Sequence, residues 1–256
     1  MTRLLSGSAL AAAALAAILF LPVPGLRVLT GLVAALAAYE YLRIVHGGRS
    51  VPGAVPLLML VALTAWWMFD PSREKFLTLL LAGVAWVAIE VVFRGLPIDR
   101  AAARFFAPWY IGMPLGMLAA IHALGGSVAT LLLIATVVIS DSAQYYCGRL
   151  FGRHLLAPAI SPKKTIEGAA GGVVFATLFV VLAGPWVFPL ARRTSLALLG
   201  IAIVGLGISG DLFESRLKRV AGMKDSSALI PGHGGILDRI DALLFATPAF
   251  YVYLLT

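Results

Sequence analysis

The stretch that decides the fold runs from Gly210 to Asp241 and reads GDLFESRLKRVAGMKDSSALIPGHGGILDRID. It contains five carboxylates, five Lys or Arg residues, one His and a Gly-rich turn. Apolar runs flank it on both sides, Leu196–Ile208 before it and Leu243–Leu255 after it. Because charge at the edge of a membrane segment is costly and usually functional, we expect this stretch to form a site at a membrane surface.

The composition of the whole chain supports a membrane protein. Of its 256 residues, 61% are hydrophobic and only 12% are charged, whereas about a quarter of the residues in soluble domains are charged. A chain of this length cannot bury so much apolar surface in one core, so we predict an all-α, polytopic integral membrane protein. Its single cysteine, Cys147, excludes an internal disulfide, and the sequence shows no Cys and His spacing typical of a zinc site.

About nine stretches are apolar and long enough to be transmembrane helices, since crossing a bilayer takes about 20 apolar residues. They lie near Leu5–Leu21, Val28–Ile44, Val51–Phe69, Phe76–Phe93, Phe105–Leu124, Ser127–Cys147, Ala169–Leu190, Leu196–Leu212 and Ile236–Leu255. Arg3 before the Ala-rich first stretch also fits a cleaved signal peptide, but the further spans favour a retained helix. We predict one structural unit, in which residues 1–125 form a scaffold with access for lipid and residues 126–256 carry the site.

Charged residues indicate how the spans are oriented. With nine spans, about three quarters of the 20 Lys and Arg residues fall on the side of the N-terminus, which the positive-inside rule assigns to the cytoplasm. The acids within or at the edges of spans fall at the same ends: Glu40, Glu90, Asp141, Asp211, Glu214, Asp238 and Asp241. The polar chemistry is therefore expected in one layer near the inner leaflet. A channel or transporter, with charges along a path through the bilayer, is disfavoured.

Two pairs of acids have the spacing of one helical face. Asp211 and Glu214 end the eighth span, and Asp238 and Asp241 begin the ninth. A cation between the pairs would relieve the repulsion of like charges. Oxygen ligands without Cys or His favour Mg²⁺ or a similar hard ion, with Asp141 as a further ligand. The alternative is that the acids form ion pairs with neighbouring arginines: Arg216, Arg219 and Arg239.

A Gly-rich turn, Pro231 to Gly235, directly precedes the ninth span. Glycine lets another group approach the backbone, and the free amides at a helix N-terminus attract anions. We therefore expect Gly234 and Gly235 to help bind a phosphate. We expect His233 to position a phosphate rather than act as a base. The alternative is a plain tight turn.

The segment Ser161-Pro162-Lys163-Lys164-Thr165 has the pattern of a helix start, with Ser161 at the N-cap and Pro162 at the first helical position. Two lysines in a first turn oppose the helix dipole, which favours a bound anion there. The alternative is the ordinary positive charge of a cytoplasmic loop. Carboxylates, amides and basic residues gathered at a membrane edge suit phosphoryl or nucleotidyl transfer, in which the protein supplies position and charge neutralisation.

Several of these segments together resemble the phosphatidate cytidylyltransferase family, also called CDP-diacylglycerol synthases. The segments are Ser140-Asp141, Gly148-Arg149 with Phe151-Gly152, Ser161 to Thr165 with Glu167-Gly168, Ser215-Arg-Leu-Lys218-Arg219, Lys224-Asp225, Pro231 to Gly235, and Leu237-Asp238-Arg239-Ile-Asp241. They lie between Ser140 and Leu243, and the residues before them share only their apolar character with the family. Gln144 departs from the pattern, where a small residue is expected.

The resemblance implies a membrane nucleotidyltransferase that makes CDP-diacylglycerol and pyrophosphate from CTP and phosphatidic acid, as a homodimer in an inner membrane with its site facing the cytoplasm. The expected partners are these substrates and the lipid bilayer, with no nucleic acid. The expected catalytic residues are Asp211, Asp238, Lys224 and His233. Mg²⁺, with room for a second cation, is assigned to Asp211, Asp238, Asp141, Glu214 and Asp241. Substrate binding is assigned to Lys163, Lys164, Ser215, Lys218, Arg219, Gly234, Gly235 and Arg239.

For the reaction itself we expect direct in-line attack of a phosphatidate oxygen on the α-phosphorus of CTP. That oxygen is anionic at neutral pH and needs no strong base. Two alternatives stay open: the same chemistry on another lipid phosphate, and a CTP-dependent polyprenol kinase, which would attack the γ-phosphorus and release CDP.

Overall fold

The computed structural model describes residues 2–49, 51, 53–227, 229–230 and 234–256, and their side chains from residue 7 onward. Its α-helices are α1 (Thr2–Phe20), α2 (Val23–Val45), α3 (Ala54–Trp67), α4 (Arg73–Arg94), α5 (Ile98–Ala107), α6 (Met113–Phe151), α7 (Ile166–Ala183), α8 (Arg193–Val220) and α9 (Leu237–Leu254). A π-helical turn, Pro108–Gly112, joins α5 to α6, and a 3-10 turn, Gly184–Trp186, follows α7. Two short strands, β1 (Leu155–Ala157) and β2 (Ser161–Thr165), form an antiparallel hairpin.

The helices confirm the prediction of an all-α, polytopic membrane protein, to which the short hairpin is an addition. Among the described residues, five segments are long and apolar enough to cross a membrane: Val23–Val45, Arg73–Arg94, Ile98–Phe151, Ile166–Trp186 and Arg193–Val220. Gly7–Phe20 and Ala54–Trp67 are apolar but shorter. Every predicted span overlaps a helix, and the count of nine crossings stays a prediction.

Gly126 interrupts α6. Its φ of 69° and ψ of −170° are far from helical values, and a residue with a Cβ would be strained there. The predicted spans Phe105–Leu124 and Ser127–Cys147 lie before and after this break. Glycine at this position therefore ends one helical segment and lets the next begin.

The predicted helix start at Ser161 and Pro162 is wrong. Residues Ser161–Thr165 form β2, and α7 begins only at Ile166. The N-cap is Thr165, whose hydroxyl accepts a hydrogen bond from the Gly168 N–H at 3.1 Å. Thr165 can replace Ser161 as the N-cap because both residues carry a hydroxyl that can accept a hydrogen bond from a free amide of the first turn. Lys163 and Lys164 consequently lie on a strand rather than in a helical first turn.

The chain divides into two compact units. Unit 1 contains Met1–Ala120 and Val220–Arg239, and unit 2 contains Ile121–Arg219 and Ile240–Thr256. By this division the segment from Val220 to Arg239 belongs to unit 1. The expected boundary at residue 125, within one structural unit, stays a prediction.

Unit 1 contains a buried ionic cluster. Glu90 of α4 and Arg104 of α5 are 1% and 4% exposed, and they form an ion pair. Arg94 binds the other carboxylate oxygen at 2.5 Å, but its side chain is 53% exposed. The buried pair joins α4 to α5, and the Tyr41 hydroxyl of α2 also binds α5 by donating to the Ala103 carbonyl at 3.0 Å.

His46 follows α2 and contacts the same cluster. Its Nδ1 lies 2.8 Å from the Leu42 carbonyl and therefore carries the proton, since a carbonyl only accepts. Its Nε2, 3.1 Å from Arg104 Nη2, must then accept a hydrogen bond from that arginine. The contact with Arg104 requires the neutral ring, because a protonated Nε2 cannot accept a hydrogen bond.

Arg104→Met should lower the free energy of unfolding by about 3–5 kcal/mol, because it leaves the Glu90 carboxylate buried without its buried partner. Arg94→Met is the matched control: it removes a half-exposed partner of the same carboxylate and should cost about 1 kcal/mol or less. Denaturant unfolding of the purified protein in detergent measures both losses. Equal losses in the two variants would contradict this account of the cluster.

Acid should weaken the His46 contacts. Burial, opposed by the hydrogen bond to Leu42 and helped by the Arg104 charge, lowers the pKa of His46 below its ordinary value of 6.5. The unfolded chain then binds a proton more readily than the folded one, so this contribution to stability is complete above about pH 6.5 and is lost as the pH falls below it. His46→Gln keeps an acceptor oxygen but cannot titrate, so its unfolding midpoint should fall less than that of the wild type between about pH 8 and pH 5. Parallel decreases in the two proteins would exclude this role.

Candidate functional site

One cluster of charged side chains in unit 2 brings together α8 and the β1–β2 hairpin. Lys164 Nζ of β2 lies 2.5 Å from Asp211 Oδ2 of α8. Both side chains are partly exposed, at 21% and 31%. The Ser215 hydroxyl, one turn further along α8, donates to the other oxygen of Asp211 at 3.2 Å. Lys164 and Ser215, which were predicted to bind substrate, therefore both contact Asp211, a predicted metal ligand.

The next turn of α8 carries a second ion pair. Lys218 Nζ lies 3.1 Å from Glu214 Oε2, and the Glu214 side chain is fully buried. Asp241 of α9 is hydrogen-bonded to Glu214 and lies within electrostatic range of Asp211. The carboxyl groups of Asp211, Glu214 and Asp241 are therefore gathered here, and two lysines offset part of their negative charge.

Glycine at position 210 allows α8 to approach α9 at this cluster. A Cβ at Gly210 would lie 2.5 Å from the Asp241 carbonyl oxygen, closer than real Cβ atoms come to other atoms. The close approach brings the acid-bearing turns of the two helices together.

Asp141 of α6 lies within electrostatic range of Lys164 and Asp211. The Gln144 amide donates to the Asp141 carboxylate at 3.3 Å and to the Ser140 hydroxyl at 3.0 Å. Gln144 is the position at which the sequence departs from the family pattern, and its side chain is in contact with a predicted metal ligand.

The hairpin that carries Lys163 and Lys164 is anchored on both sides. Glu167 accepts hydrogen bonds from the N–H groups of Arg153 and His154, at 3.0 and 3.2 Å, and from His154 Nδ1 at 2.6 Å. Arg219 Nε of α8 donates to the Ile160 carbonyl at 3.4 Å. Glu167 therefore positions the hairpin. The family motif contains this residue, but its role could not be assigned from the sequence.

The remaining described site residues belong to unit 1. They are Lys224, Gly234, Gly235, Asp238 and Arg239. Lys224 and Arg239 are exposed. His233, with the rest of Pro231 to His233, lies outside the described residues.

Asp238 in this unit binds the segment that precedes its own helix. Its Oδ2 accepts hydrogen bonds from the Ser226 N–H at 2.9 Å, the Ser226 hydroxyl at 2.8 Å and the Gly235 N–H at 2.8 Å. Gly234 has a φ of 79°, and a Cβ at that position would clash with the same carboxylate. Gly234 and Gly235 are therefore shaped around the Asp238 carboxylate.

The predicted phosphate cradle differs from what the structure shows. The Ile236 and Leu237 amides donate to the Glu40 carboxylate of α2, at 3.1 and 2.8 Å, and the Gly235 amide donates to Asp238. Carboxylates of the chain itself thus occupy the amides that were expected to bind a phosphate. The sequence analysis recognised Glu40 as an acid at the cytoplasmic end of a span but gave it no role, because nothing in the sequence links it to residues so far along the chain.

The five predicted metal ligands do not form a preassembled cage. In the described part of the chain, no three or more Asp, Glu, His or Cys side chains are placed so that they could hold a metal ion. Asp211 contacts the Lys164 ammonium, and Asp141 lies within electrostatic range of both. Mg²⁺ is usually held by one or two carboxylates together with substrate phosphates, and these two acids fit that smaller requirement.

Comparison with known proteins gives the family. The profile described as "Cytidylyltransferase family" matches residues 1–256. The chain belongs to the cytidylyltransferase family. It is 35% identical over 223 residues to the phosphatidate cytidylyltransferase of Bacillus subtilis, covering 80% of this chain and 79% of that protein. It is 34% identical over 235 residues to the phosphatidate cytidylyltransferase of Pseudomonas aeruginosa, covering 86% and 84%.

A further relative matches over a shorter part of the chain. The chain is 38% identical over 167 residues to the uncharacterized Escherichia coli protein YnbB. This alignment covers 65% of this chain and 53% of that protein. The chain thus spans about half the length of this relative and about four fifths of the other two. The family predicted from the motifs between Ser140 and Leu243 is confirmed.

The contact between Lys164 and Asp211 should be measurable as a coupling energy. In a double-mutant cycle of Lys164→Met and Asp211→Asn, unfolding in detergent should give a coupling of about 0.5–3 kcal/mol. Lys163→Met is the matched control, because Lys163 is the adjacent residue on β2 and neighbouring strand residues point to opposite faces. Its cycle with Asp211→Asn should give almost no coupling. Equal coupling for both lysines would show that the Asp211 contact is not specific.

Proposed function

We propose that this protein is a phosphatidate cytidylyltransferase, which makes CDP-diacylglycerol and pyrophosphate from CTP and phosphatidic acid. The proposal is supported by its family and by the activity that the names of the Bacillus and Pseudomonas relatives state. The observation that carries it is the cluster of Asp141, Lys164, Asp211 and Lys218 in a chain built from membrane-spanning helices. Clustered lysines and carboxylates beside a bilayer suit a reaction between a nucleotide and a lipid phosphate.

The reaction that we propose is a single in-line displacement. An anionic phosphate oxygen of phosphatidate attacks the α-phosphorus of CTP and forms the new P–O bond. The bond between the α-phosphorus and the oxygen that bridges to the β-phosphorus breaks, and pyrophosphate leaves with that oxygen and its electron pair. The attacking oxygen carries no proton at neutral pH, so the protein's task is to position the two phosphates and to offset their mutual repulsion.

The lysines of unit 2 are the groups we assign to that task. Lys164 and Lys218 are mostly buried and already bind anionic oxygens, those of Asp211 and Glu214. A phosphate that reached either ammonium would replace one anionic partner by another. In unit 2, Lys163 on the hairpin and Arg219 on α8 are exposed. In unit 1, Lys224 and Arg239 are exposed as well. We assign these exposed residues to the triphosphate and to the lipid headgroup.

We further propose that Asp211 and Asp141 would hold Mg²⁺ once Lys164 binds the nucleotide phosphates. When bound, Mg²⁺ supplies positive charge against the phosphates and the departing pyrophosphate. The homodimer and the inner-membrane location, with the site on the cytoplasmic side, complete the proposal. The location is supported by the distribution of Lys and Arg residues along the chain.

The decisive assay uses purified protein in mixed micelles with phosphatidic acid and labelled CTP. CDP-diacylglycerol and pyrophosphate should form, and chelation of divalent cations should stop their formation. Asp211→Asn should lower the rate by about 10²-fold or more, as expected when a group that offsets transition-state charge is lost. Glu74→Gln, at an exposed acid in the first turn of α4, is the control and should keep the wild-type rate.

Product identity separates this proposal from its rivals. Release of CDP, with transfer of the γ-phosphate, would replace it by a lipid kinase. Label left on the protein after incubation with CTP alone would reject direct attack in favour of a covalent cytidylyl intermediate. An Asp211→Asn protein that works at the wild-type rate would remove Asp211 from the site.

A further inference from the structure

Glu40 makes the most extensive hydrogen-bonded contact between α2 and the segment 220–239 of unit 1. The residue is 3% exposed. One oxygen, Oε1, accepts hydrogen bonds from the Ser227 hydroxyl at 2.7 Å and the Ile236 N–H at 3.1 Å. The other, Oε2, accepts from the Leu237 N–H at 2.8 Å and lies 2.9 Å from the Ser226 hydroxyl, whose single proton it shares with Asp238 Oδ2. Each oxygen is thus bound by one backbone amide and one serine.

These four donors explain how a carboxylate can be buried in an otherwise apolar helix. A buried carboxylate is costly unless it is paired or hydrogen-bonded. A hydrogen bond to a charged group contributes about 1.5–3 kcal/mol, so the four contacts offset much of that cost. The amides of Ile236 and Leu237 are also at the positive end of the α9 dipole, where a negative charge is favourable. Glu40 is the anion that this helix end binds.

The same contacts connect Glu40 to Asp238. The Ser226 hydroxyl lies 2.9 Å from Glu40 Oε2 and 2.8 Å from Asp238 Oδ2. Gly235, whose N–H binds Asp238, has no room for a side chain, because a Cβ there would clash with the Ser226 hydroxyl and the Glu40 carboxylate. A shift of Glu40 would therefore displace both residues that hold Asp238 Oδ2.

We propose that Glu40 is a positioning residue of the reaction, which fixes Asp238 through Ser226 and Gly235. This role rests on the proposed function, since it matters only if Asp238 takes part in cytidylyl transfer. It gives α2 a part in the site, although none of the family motifs recognised in the sequence lies in that helix. Glu40 itself touches no substrate in this account and acts only through the segment that it binds.

Glu40→Gln tests the proposal with almost no change in size. A glutamine has one acceptor oxygen and one NH₂ group. Whichever way its amide is turned, the NH₂ group faces a backbone N–H, of either Ile236 or Leu237, and one hydrogen bond is lost. Changes to residues that orient a functional group from behind typically cost 10–100-fold. We therefore expect kcat to fall by about 10–100-fold, while KM for phosphatidic acid stays within about 3-fold of the wild-type value because Glu40 does not contact the lipid.

Glu90→Gln is the matched control. Glu90 is an equally buried acid of unit 1, but it binds the arginines of α4 and α5 and not the segment 220–239. This variant should be less stable than the wild type and yet keep kcat within about 3-fold when rates are expressed per folded molecule. An equal fall of kcat in both variants would show that any weakening of unit 1 is sufficient, and would overturn the specific role of Glu40.

A second readout does not depend on activity. Lys224 is exposed within the segment that Glu40 holds, so trypsin should cut after it faster once the segment is released. Mass spectrometry of the fragments should show cleavage after Lys224 at least about 10-fold faster in Glu40→Gln, and unchanged in Glu90→Gln. Unchanged cleavage in Glu40→Gln would refute the proposal.

Ser227→Ala keeps the test decisive if Glu40→Gln does not fold. It removes a single donor to Glu40 and should give smaller changes of the same kind, about 2–10-fold in kcat and in the cleavage rate. Wild-type values of both in Ser227→Ala would overturn the proposal. If the wild-type protein makes no CDP-diacylglycerol, the proposed function fails, and the cleavage experiment still decides whether Glu40 holds the segment.

Discussion

A buried carboxylate in this chain must be given hydrogen-bond donors or a cation, because taking it out of water unaided costs several kcal/mol. The chain meets this constraint in three ways. Glu90 is paired with arginines, Glu40 is surrounded by uncharged donors, and Glu214 is bound by a lysine one turn away. The way each carboxylate is satisfied decides which hydrogen-bond donors and cations are still able to bind substrates. Backbone amides that satisfy Glu40 do not bind phosphate, whereas lysines that bind carboxylates can exchange them for another anion.

Much of the fold could be predicted because hydropathy alone marks the helices. Each predicted span overlaps a helix, since about 20 consecutive apolar residues in a chain of this composition have few other structures available. Local chemistry was less decisive. Ser161 and Thr165 can both cap a helix, and only the pairing of β2 with β1 shows that the chain is extended as far as Thr165. The sequence pattern could not show which of the two hydroxyls caps the helix, because that depends on a tertiary contact, the pairing of β2 with β1.

The partners of the predicted metal ligands could be inferred from the sequence only in part. The sequence analysis considered Arg216, Arg219 and Arg239 as partners of the acids because they lie within a turn or so. The described ion pairs join Glu214 to Lys218, which is also one turn away, and Asp211 to Lys164, which belongs to a different segment. Spacing along one helix predicts the first of these pairs. The second depends on where the hairpin lies, and Glu167 and Arg219 determine that through contacts that no local pattern encodes.

The charge balance of the cluster has a consequence for how substrates enter it. Lys164 and Lys218 each bind a carboxylate, so neither ammonium is available to a phosphate without a change of partner. If CTP takes Lys164, Asp211 loses its counter-charge beside other carboxyl groups, and the repulsion among them favours a replacement cation. In the proposed mechanism, a cation bound to the triphosphate would meet both requirements at once. Nucleotide and metal binding would then be coupled by electrostatics, because each would remove the penalty that the other incurs.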